Sequence, residues 1–239
     1  MFYWILKNLI VGPVLKALFR PWITGAEHVP KQGAAILASN HLSVVDSVFL
    51  PLMLDRRMSF LAKAEYFTGR GIKGWATKWF MKGTGQIPID RSGGSASEAA
   101  LNTALQVIGR GDLLGIYPEG TRSPDGRLFK GRTGIARMAL VAKVPVIPVV
   151  MVDTDTMLPI GASHPRIMRV GMVLGEPLDF SRYEGLEDDR FVLRSVTDEI
   201  MVALQQLGGQ EYVDDYASKH RRLAEAEGRL SKGAFAREE

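Results

Sequence analysis

Two kinds of segment alternate along most of the chain: short apolar runs, and longer stretches with apolar residues at helical spacing. Apolar runs of about four to eight residues bounded by turn residues are typical of buried strands, whereas an apolar repeat of about three to four residues is typical of amphipathic helices. The pattern predicts strands over 34–40, 58–63, 85–91, 112–118, 144–152 and 166–178, and helices over 43–54, 71–82, 95–111, 132–143 and 188–207.

Strands that alternate with helices are typical of a largely parallel sheet with helices on its faces. We therefore expect an α/β fold with a single main domain over 23–207. An N-terminal amphipathic membrane-interface helix over 1–22 is expected to precede it, and a polar C-terminal tail over 208–239 to follow it. The length of 239 residues fits one domain with such appendages.

The first 22 residues predict a helix with one narrow polar side. Asn8, Gly12, Lys16 and Arg20 are spaced four apart and share one stripe, and the remaining surface is mainly aromatic and aliphatic. A spanning helix needs about 20 consecutive apolar residues, and lysines interrupt this run. We expect the helix to lie in the membrane interface, attached peripherally or monotopically at the cytoplasmic face. The alternative is a helix that docks on the protein core.

The predicted helix over 71–82 places Trp75 and Trp79 on one face and Lys78 and Lys82 on another. A tryptophan face beside lysines fits a second interfacial element. A core helix whose lysines extend to solvent fits the same pattern. Both interpretations stay open.

Composition and charge narrow the possible partners. Hydrophobic residues make up 46% of the chain and cysteine is absent, so a globular core is expected, and disulfides, a catalytic thiol and Cys-ligated zinc are excluded. The first 183 residues hold 22 Lys and Arg against 13 Asp and Glu, a net charge of +9. A basic body favours an anionic membrane surface or a phosphorylated small molecule. Nucleic-acid-binding motifs are lacking, so no nucleic acid is expected.

His41 and Asp46 lie where the predicted strand over 34–40 turns into the following helix, which we expect to begin near Ser43. On one continuous helix, residues five apart diverge by about 140°, but across such a turn Asp46 can reach back to His41. An imidazole can take the proton of an attacking hydroxyl, and a carboxylate on its other nitrogen fixes the tautomer. The alternative is a capping box, with Ser43 as the N-cap and Asp46 bonded to a backbone N–H.

Two arginines follow other predicted strands. Arg122 lies in the segment Glu119–Ser123 after the strand over 112–118, and Arg91 ends the strand over 85–91. Open α/β sheets bind ligands beyond the carboxyl ends of their strands, and arginine can grip a phosphate with two hydrogen bonds. The alternatives are a surface turn with a Glu–Arg ion pair and a solvated Arg91.

Together, four blocks resemble the glycerolipid acyltransferase family, and the bacterial 1-acyl-sn-glycerol-3-phosphate acyltransferases in particular. The similarity spans roughly residues 25–205 and extends less specifically to 63–65, 129–131 and 175–177. The four blocks occur in the family's order: Asn40-His41 with Asp46, Gly85–Arg91, Glu119–Ser123, and Val144–Pro148.

The resemblance implies that His41 is the general base and that Asp46 orients it. It also implies an acceptor phosphate site, formed by Glu119, Gly120, Thr121 and Arg122, with Arg91 assisting and Lys63 as a further cation.

The implied reaction moves a fatty acyl group from acyl-CoA or acyl carrier protein onto the free hydroxyl of 1-acyl-glycerol-3-phosphate, giving phosphatidic acid. The acyl thioester is a co-substrate, and neither a metal nor another cofactor is expected. The expected partners are lysophosphatidic acid, the acyl thioester, a membrane surface and, where it carries the acyl group, acyl carrier protein.

Three alternatives to this reaction stay open. The acceptor could be another lysophospholipid or a glycolipid. The same His/Asp pair could serve an ester hydrolase, although the G-x-S-x-G nucleophile elbow is absent. A catalytically silent membrane-binding module would explain the N-terminus and the basic charge, but not the four ordered blocks.

Overall fold

A seven-stranded sheet organises the chain in the computed structural model, which describes residues 4, 6–69, 71, 74–75, 78–79, 81, 85–89, 96–228 and 230. The strands are β1 (Trp22–Thr24), β2 (Ala35–Ser39), β3 (Met58–Lys63), β4 (Gln86–Ile89), β5 (Leu113–Ile116), β7 (Val146–Val152) and β8 (Gly171–Leu174). Two short strands, β6 (Leu128–Phe129) and β9 (Tyr212–Val213), pair with each other in a separate parallel ladder. The helices are α1 (Val11–Phe19), α2 (Asp46–Met53), α3 (Glu65–Thr68), α4 (Ala96–Gly109), α5 (Gly134–Ala142), α6 (Thr154–Met157), α7 (Arg190–Gly208) and α8 (Ala217–Ala226).

The strand order is β1-β8-β7-β2-β5-β3-β4, and only β7 and β8 pair antiparallel. The prediction of an α/β fold with a largely parallel sheet is therefore confirmed. The central strand β2 is buried along its whole length, as its uninterrupted apolar sequence indicates for a strand covered on both faces.

Each face of the sheet carries its own core. Ile36 and Ala38 of β2 belong to the core that includes α4, α5 and α7, whereas Ala35 and Leu37 belong to the core that includes α1 and α2. Successive side chains of a strand point to opposite faces, so this one strand supplies both cores.

Several boundaries differ from the sequence prediction. The strand predicted over 166–178 is shortened to β8, and the three-residue β1 was missed because so short a run has no distinctive pattern. The helix expected near Ser43 begins at Asp46, after a turn over 44–45. Half of the residues of the helix predicted over 71–82 lie outside the described residues.

The N-terminal helix α1 has a core-facing side. Gly12 and Phe19 are buried, and the Phe19 ring meets Phe49 of α2 edge-on with centroids 5.6 Å apart. Gly12 was expected on the polar stripe, but it lies against the core, where a Cβ would come 3.1 Å from Leu52 Cδ1. The opposite side exposes Val14 and other apolar residues. One side of α1 therefore docks on the protein core, as the alternative interpretation of the N-terminus expected.

Within the described residues, no helix combines the length and the apolar character needed to cross a membrane. Attachment at the interface stays a prediction, as do the domain limits at residues 22 and 207.

The C-terminal segment, residues 209–228, packs against the main domain. β9 pairs with β6, and α8 follows it. The sequence suggested a polar tail here that could form a loose helix, because the segment is rich in charge and short of apolar residues.

Candidate active site

One edge of the sheet collects the predicted site residues. β2, β5, β3 and β4 are successive neighbours and mutually parallel, so their carboxyl ends lie along the same edge. His41 follows β2, the loop over 117–123 follows β5, and Lys63 ends β3. Arg91 comes two residues after β4 and lies outside the described residues, and nothing is described of the Lys63 side chain.

His41 and Asp46 form a direct pair. His41 Nδ1 lies 2.9 Å from Asp46 Oδ2, with the Asp46 side chain fully buried and that of His41 16% exposed. The carboxylate also accepts the backbone N–H groups of Leu42 and Ser43, each at 2.8 Å. The His41 ring and the two backbone N–H groups that follow it therefore share one carboxylate oxygen of Asp46.

The capping-box alternative holds in part. Asp46 bonds backbone N–H groups as expected, including that of Ser43. Ser43 does not cap the helix: its hydroxyl donates to the carbonyl of Leu158 at 2.9 Å, and the N-cap position is Val45. The backbone N–H groups at the start of the helix and the His41 ring bond the same Asp46 oxygen. The position where α2 begins and the orientation of the imidazole are therefore linked.

Asn40 fixes the other side of His41. Its buried side chain continues the ladder to β7, accepting from Met151 N at 2.7 Å and donating to Met151 O at 3.3 Å. Nδ2 also donates to Gln210 Oε1 at 2.8 Å. The loop that carries His41 is therefore held by Asn40 on the strand side and by Asp46 on the helix side.

Tyr117 is a site residue to which the sequence analysis gave no role. Its ring lies parallel to the His41 imidazole, with centroids 3.7 Å apart and planes 10° apart, and its other face meets Phe60 at 5.0 Å. The Tyr117 hydroxyl is hydrogen bonded to Ser47 Oγ at 2.7 Å. Desolvation, and then the charge of Asp46, raise the pKa of Tyr117 well above its usual value. The only sequence signal was its place at the end of β5.

Glu119 lies inside the protein, where it holds two loops. One carboxyl oxygen accepts His41 N at 3.4 Å and the other accepts Phe129 N at 3.2 Å, and the residue is 1% exposed. Burial raises the pKa of Glu119 to about 8. These contacts fit a residue that positions His41, rather than the phosphate ligand that the resemblance implied.

The rest of the loop runs along the backbone of His41. Ser123 N donates to His41 O at 2.7 Å, which places the half-buried Arg122 one residue from this contact. Gly120 is exposed and has a φ of 76°, a left-handed conformation that favours glycine. Thr121 Oγ1 accepts from Arg221 Nη1 at 3.3 Å. Gly120, Thr121 and Arg122 thus lie together beside His41.

The described residues contain no group of three or more His, Cys, Asp or Glu side chains suited to a metal ion. The chemistry available is that of an imidazole held by a carboxylate, next to a loop bearing an arginine.

Comparison with known proteins shows the family and the fold of the chain. The sequence model of the family described as Acyltransferase matches residues 20–152, which is more than half of the chain and includes both His41 and the loop over 117–123. The crystal structure of the 1-acyl-sn-glycerophosphate (LPA) acyltransferase PlsC from Thermotoga maritima superposes with a TM-score of 0.59, at 23% identity over 84% of this chain and 82% of that one. That likeness shows a shared fold.

Sequence relatives carry consistent names. A 1-acyl-sn-glycerol-3-phosphate acyltransferase from Limnanthes alba is 33% identical over 140 residues, covering 55% of this chain and 45% of that protein. The protein of the same name from Bacillus subtilis is 27% identical over 154 residues, covering 64% and 70%. The match to the plant relatives spans under half of their length. Because the family model matches more than half of this chain, the chain belongs to the acyltransferase family.

Proposed function

We propose that the protein transfers a fatty acyl group from a thioester donor, acyl-CoA or acyl carrier protein, to the free hydroxyl of 1-acyl-glycerol-3-phosphate, giving phosphatidic acid. The observation that carries the proposal is the 2.9 Å contact between His41 Nδ1 and the buried Asp46 carboxylate. The names of the relatives support the choice of acceptor.

The proposed chemistry is direct transfer. Asp46 holds the proton of the imidazole on Nδ1, so His41 Nε2 takes the proton of the acceptor hydroxyl as its oxygen attacks the thioester carbonyl. The carbon–sulfur bond then breaks, and the proton on Nε2 passes to the thiolate that leaves. The buried carboxylate stabilises the imidazolium between these steps. No covalent acyl-enzyme is required.

Substrate binding is proposed to centre on the loop over 120–122. Arg122 has the planar fork that pairs with a phosphate, and the loop lies next to His41 through the Ser123–His41 backbone bond. Lys63 ends β3 at the edge of the sheet that carries His41, and Lys63 and Arg91 are proposed as further cations for the phosphate. Glu119 is proposed to support the loop from inside.

A lipid acceptor calls for contact with a membrane. The side of α1 that faces away from the core exposes Val14 and Leu18, at 55% and 45%, while Trp75 and Trp79 are 62% and 46% exposed. Exposed tryptophans and aliphatic residues beside basic ones favour the interface of an anionic bilayer. We propose that these surfaces attach the protein peripherally to the cytoplasmic face of the membrane.

The decisive experiment is an acylation assay on the purified full chain with lysophosphatidic acid and acyl-CoA. Wild type is compared with His41→Ala and with the matched control His164→Ala, because His164 is an exposed histidine outside the site. Removing a general base costs about 10²- to 10⁴-fold in rate, so His41→Ala should lose most of kcat while His164→Ala keeps it.

Other results separate the alternatives. Equal acylation by wild type and His41→Ala would refute the proposed mechanism. A wild type that acylates another lysolipid or a glycolipid, but not lysophosphatidic acid, would overturn only the acceptor. Release of free fatty acid without an acylated product would indicate a hydrolase.

A further inference from the structure

Arg132 lies against the loop that is proposed to bind the acceptor. Its backbone N–H donates to Pro118 O at 2.8 Å. Its side chain passes over Gly120 so closely that a Cβ at position 120 would lie 3.0 Å from Arg132 Nε. Gly120 is therefore needed for its backbone conformation and also for the approach of this guanidinium.

The C-terminal segment holds the Arg132 guanidinium in place. Ser218 Oγ accepts from Nη2 at 3.1 Å, and Cζ lies 5.0 Å above the ring centre of Tyr216. Stacking on an aromatic face and one hydrogen bond restrain a planar fork that has five N–H donors. Arg132 is exposed, so it combines a restrained geometry with access from solvent.

Arg132 also differs from its basic neighbours in the ion pairs that it forms. Among the residues that the structure describes, no carboxylate forms an ion pair with it. In contrast, Arg127 pairs with Asp125 at 2.7 Å and Glu211 at 3.3 Å, and Lys130 pairs with Asp214 at 2.8 Å. The positive charge next to Gly120 is thus left uncompensated by the acidic C-terminal segment.

Arg221 of α8 reinforces the same loop. Its Nη1 donates to Thr121 Oγ1 at 3.3 Å, while its Nε bonds Glu225 at 2.9 Å. Arg221 is a positioning residue in this arrangement, because its guanidinium is already engaged by Thr121 and Glu225.

We propose that Arg132 binds the phosphate of the acceptor together with the loop over 120–122, and that Tyr216, Ser218 and Arg221 hold this part of the site. The inference rests on the proposed function and extends it to a segment beyond residues 20–152, the part that the family model matches. It makes the C-terminal segment a determinant of preference for phosphorylated acceptors.

The test uses the full chain as wild type, Arg132→Gln, Arg132→Lys and the matched control Arg127→Gln. Arg127 lies five residues before Arg132 in the chain, and its charge is already compensated by two carboxylates. We measure kcat and KM for lysophosphatidic acid at saturating acyl-CoA, and the Kd of glycerol 3-phosphate by calorimetry. Thermal melting verifies that each variant is folded.

Loss of a charge-assisted pair to a phosphate should raise KM for lysophosphatidic acid about 10- to 100-fold in Arg132→Gln, with kcat changed less than about threefold. Arg132→Lys should fall between wild type and Arg132→Gln, because it keeps the charge and loses the planar fork. Arg127→Gln should match wild type in both constants.

An unchanged KM in Arg132→Gln would overturn the proposal. An equal rise of KM in Arg127→Gln would overturn it too, because it would indicate only an effect of the total positive charge on the surface. If wild type fails to acylate lysophosphatidic acid, the proposed function fails, and the calorimetry still decides on Arg132. Weaker glycerol 3-phosphate binding in Arg132→Gln than in wild type then supports the phosphate site. Equal binding, or wild-type binding no tighter than that of glycerol, refutes it.

Discussion

The imidazole of His41 lies face to face with the phenol ring of Tyr117, with centroids 3.7 Å apart. Asp46 fixes one ring nitrogen by a hydrogen bond, but a single hydrogen bond leaves the ring free to rotate about it. The Tyr117 face removes that freedom, and Tyr117 is itself held between His41 and Phe60. The orientation of the proposed base therefore depends on an aromatic stack as well as on the carboxylate.

Replacing Tyr117 tests this stack. Tyr117→Ala should lower kcat about 10- to 100-fold, since small misplacement of a reacting group has costs of this size, with KM for the acceptor nearly unchanged. Tyr117→Phe keeps the ring and loses only the bond to Ser47, so it should retain most of kcat. Steady-state kinetics on both variants measures the difference. An alanine variant as active as the phenylalanine variant would contradict a positioning role.

Asp46→Asn removes the carboxylate and keeps its size. We expect kcat to fall about 10³- to 10⁴-fold, because an amide no longer fixes the productive tautomer of His41. The variant should also be less stable, since Asp46 Oδ2 accepts three hydrogen bonds from His41, Leu42 and Ser43. Kinetics below the melting temperature of the variant separates the two effects. A folded Asp46→Asn protein with wild-type kcat would rule out the orienting role.

Glu119 should make stability depend on pH. Burial raises its pKa from 4.5 to about 8, so over this interval the folded protein keeps a proton that the unfolded chain releases. The stabilising contribution is complete below about pH 4.5 and is lost as pH rises through 8, at no more than about 1.4 kcal/mol per pH unit. Glu119→Gln should remove this part of the slope.

Urea unfolding of wild type and Glu119→Gln at several pH values between 5 and 9 measures this dependence, in roughly unit steps. Glu98→Gln serves as the control, because Glu98 is exposed on α4. Parallel stability curves for wild type and Glu119→Gln would show that Glu119 is not the group that titrates.

Asn40 should matter for stability because its buried amide replaces a strand residue in the ladder to β7. Asn40→Ala leaves the backbone groups of Met151 without these partners and should cost about 1–3 kcal/mol of unfolding free energy. The exposed Asn102 of α4 provides the control variant Asn102→Ala, which should change stability by less than about 0.5 kcal/mol. Equal effects of the two substitutions would contradict the anchoring role.

Membrane attachment can be tested on the exposed side of α1. The double variant Val14→Ser, Leu18→Ser should bind phosphatidylglycerol vesicles less than wild type in sedimentation assays, because it removes apolar area from the proposed interface. Val202→Ser, Leu223→Ser is the matched control, since these residues are similarly exposed, at 48% and 50%, on α7 and α8. Equal loss of binding in both pairs would argue against an interfacial role for α1.

The sequence by itself determined the class of fold. Apolar runs and helical repeats report which segments are buried on one side or on both, and this local information predicted the strands and helices that build the sheet. The turn between β2 and α2 could also be located, and across such a turn Asp46 can reach back to His41. Spacing alone left a capping box as the alternative, and the resemblance of the four ordered blocks favoured the pair.

Tertiary structure decided which partners surround that pair. Tyr117, Glu119 and Gln210 reach the His41 loop from segments far away in the chain, and periodicity carries no information about such meetings. Glu119 is an example: the resemblance implied a phosphate ligand, whereas the side chain is buried and accepts backbone N–H groups of His41 and Phe129.

The C-terminal segment shows most clearly what the sequence determined and what the tertiary structure decided. Its charged sequence predicts a polar tail or a loose helix without packing partners, because hydrophobic patterning detects only the apolar part of packing. In the folded chain β9 of this segment pairs with β6, and two polar contacts join it to the region of the loop over 120–122, from Arg132 to Ser218 and from Arg221 to Thr121. Hydrogen bonds between side chains distant in sequence exist only once the sheet has brought their elements together, so the sequence specified the residues while the fold alone paired them.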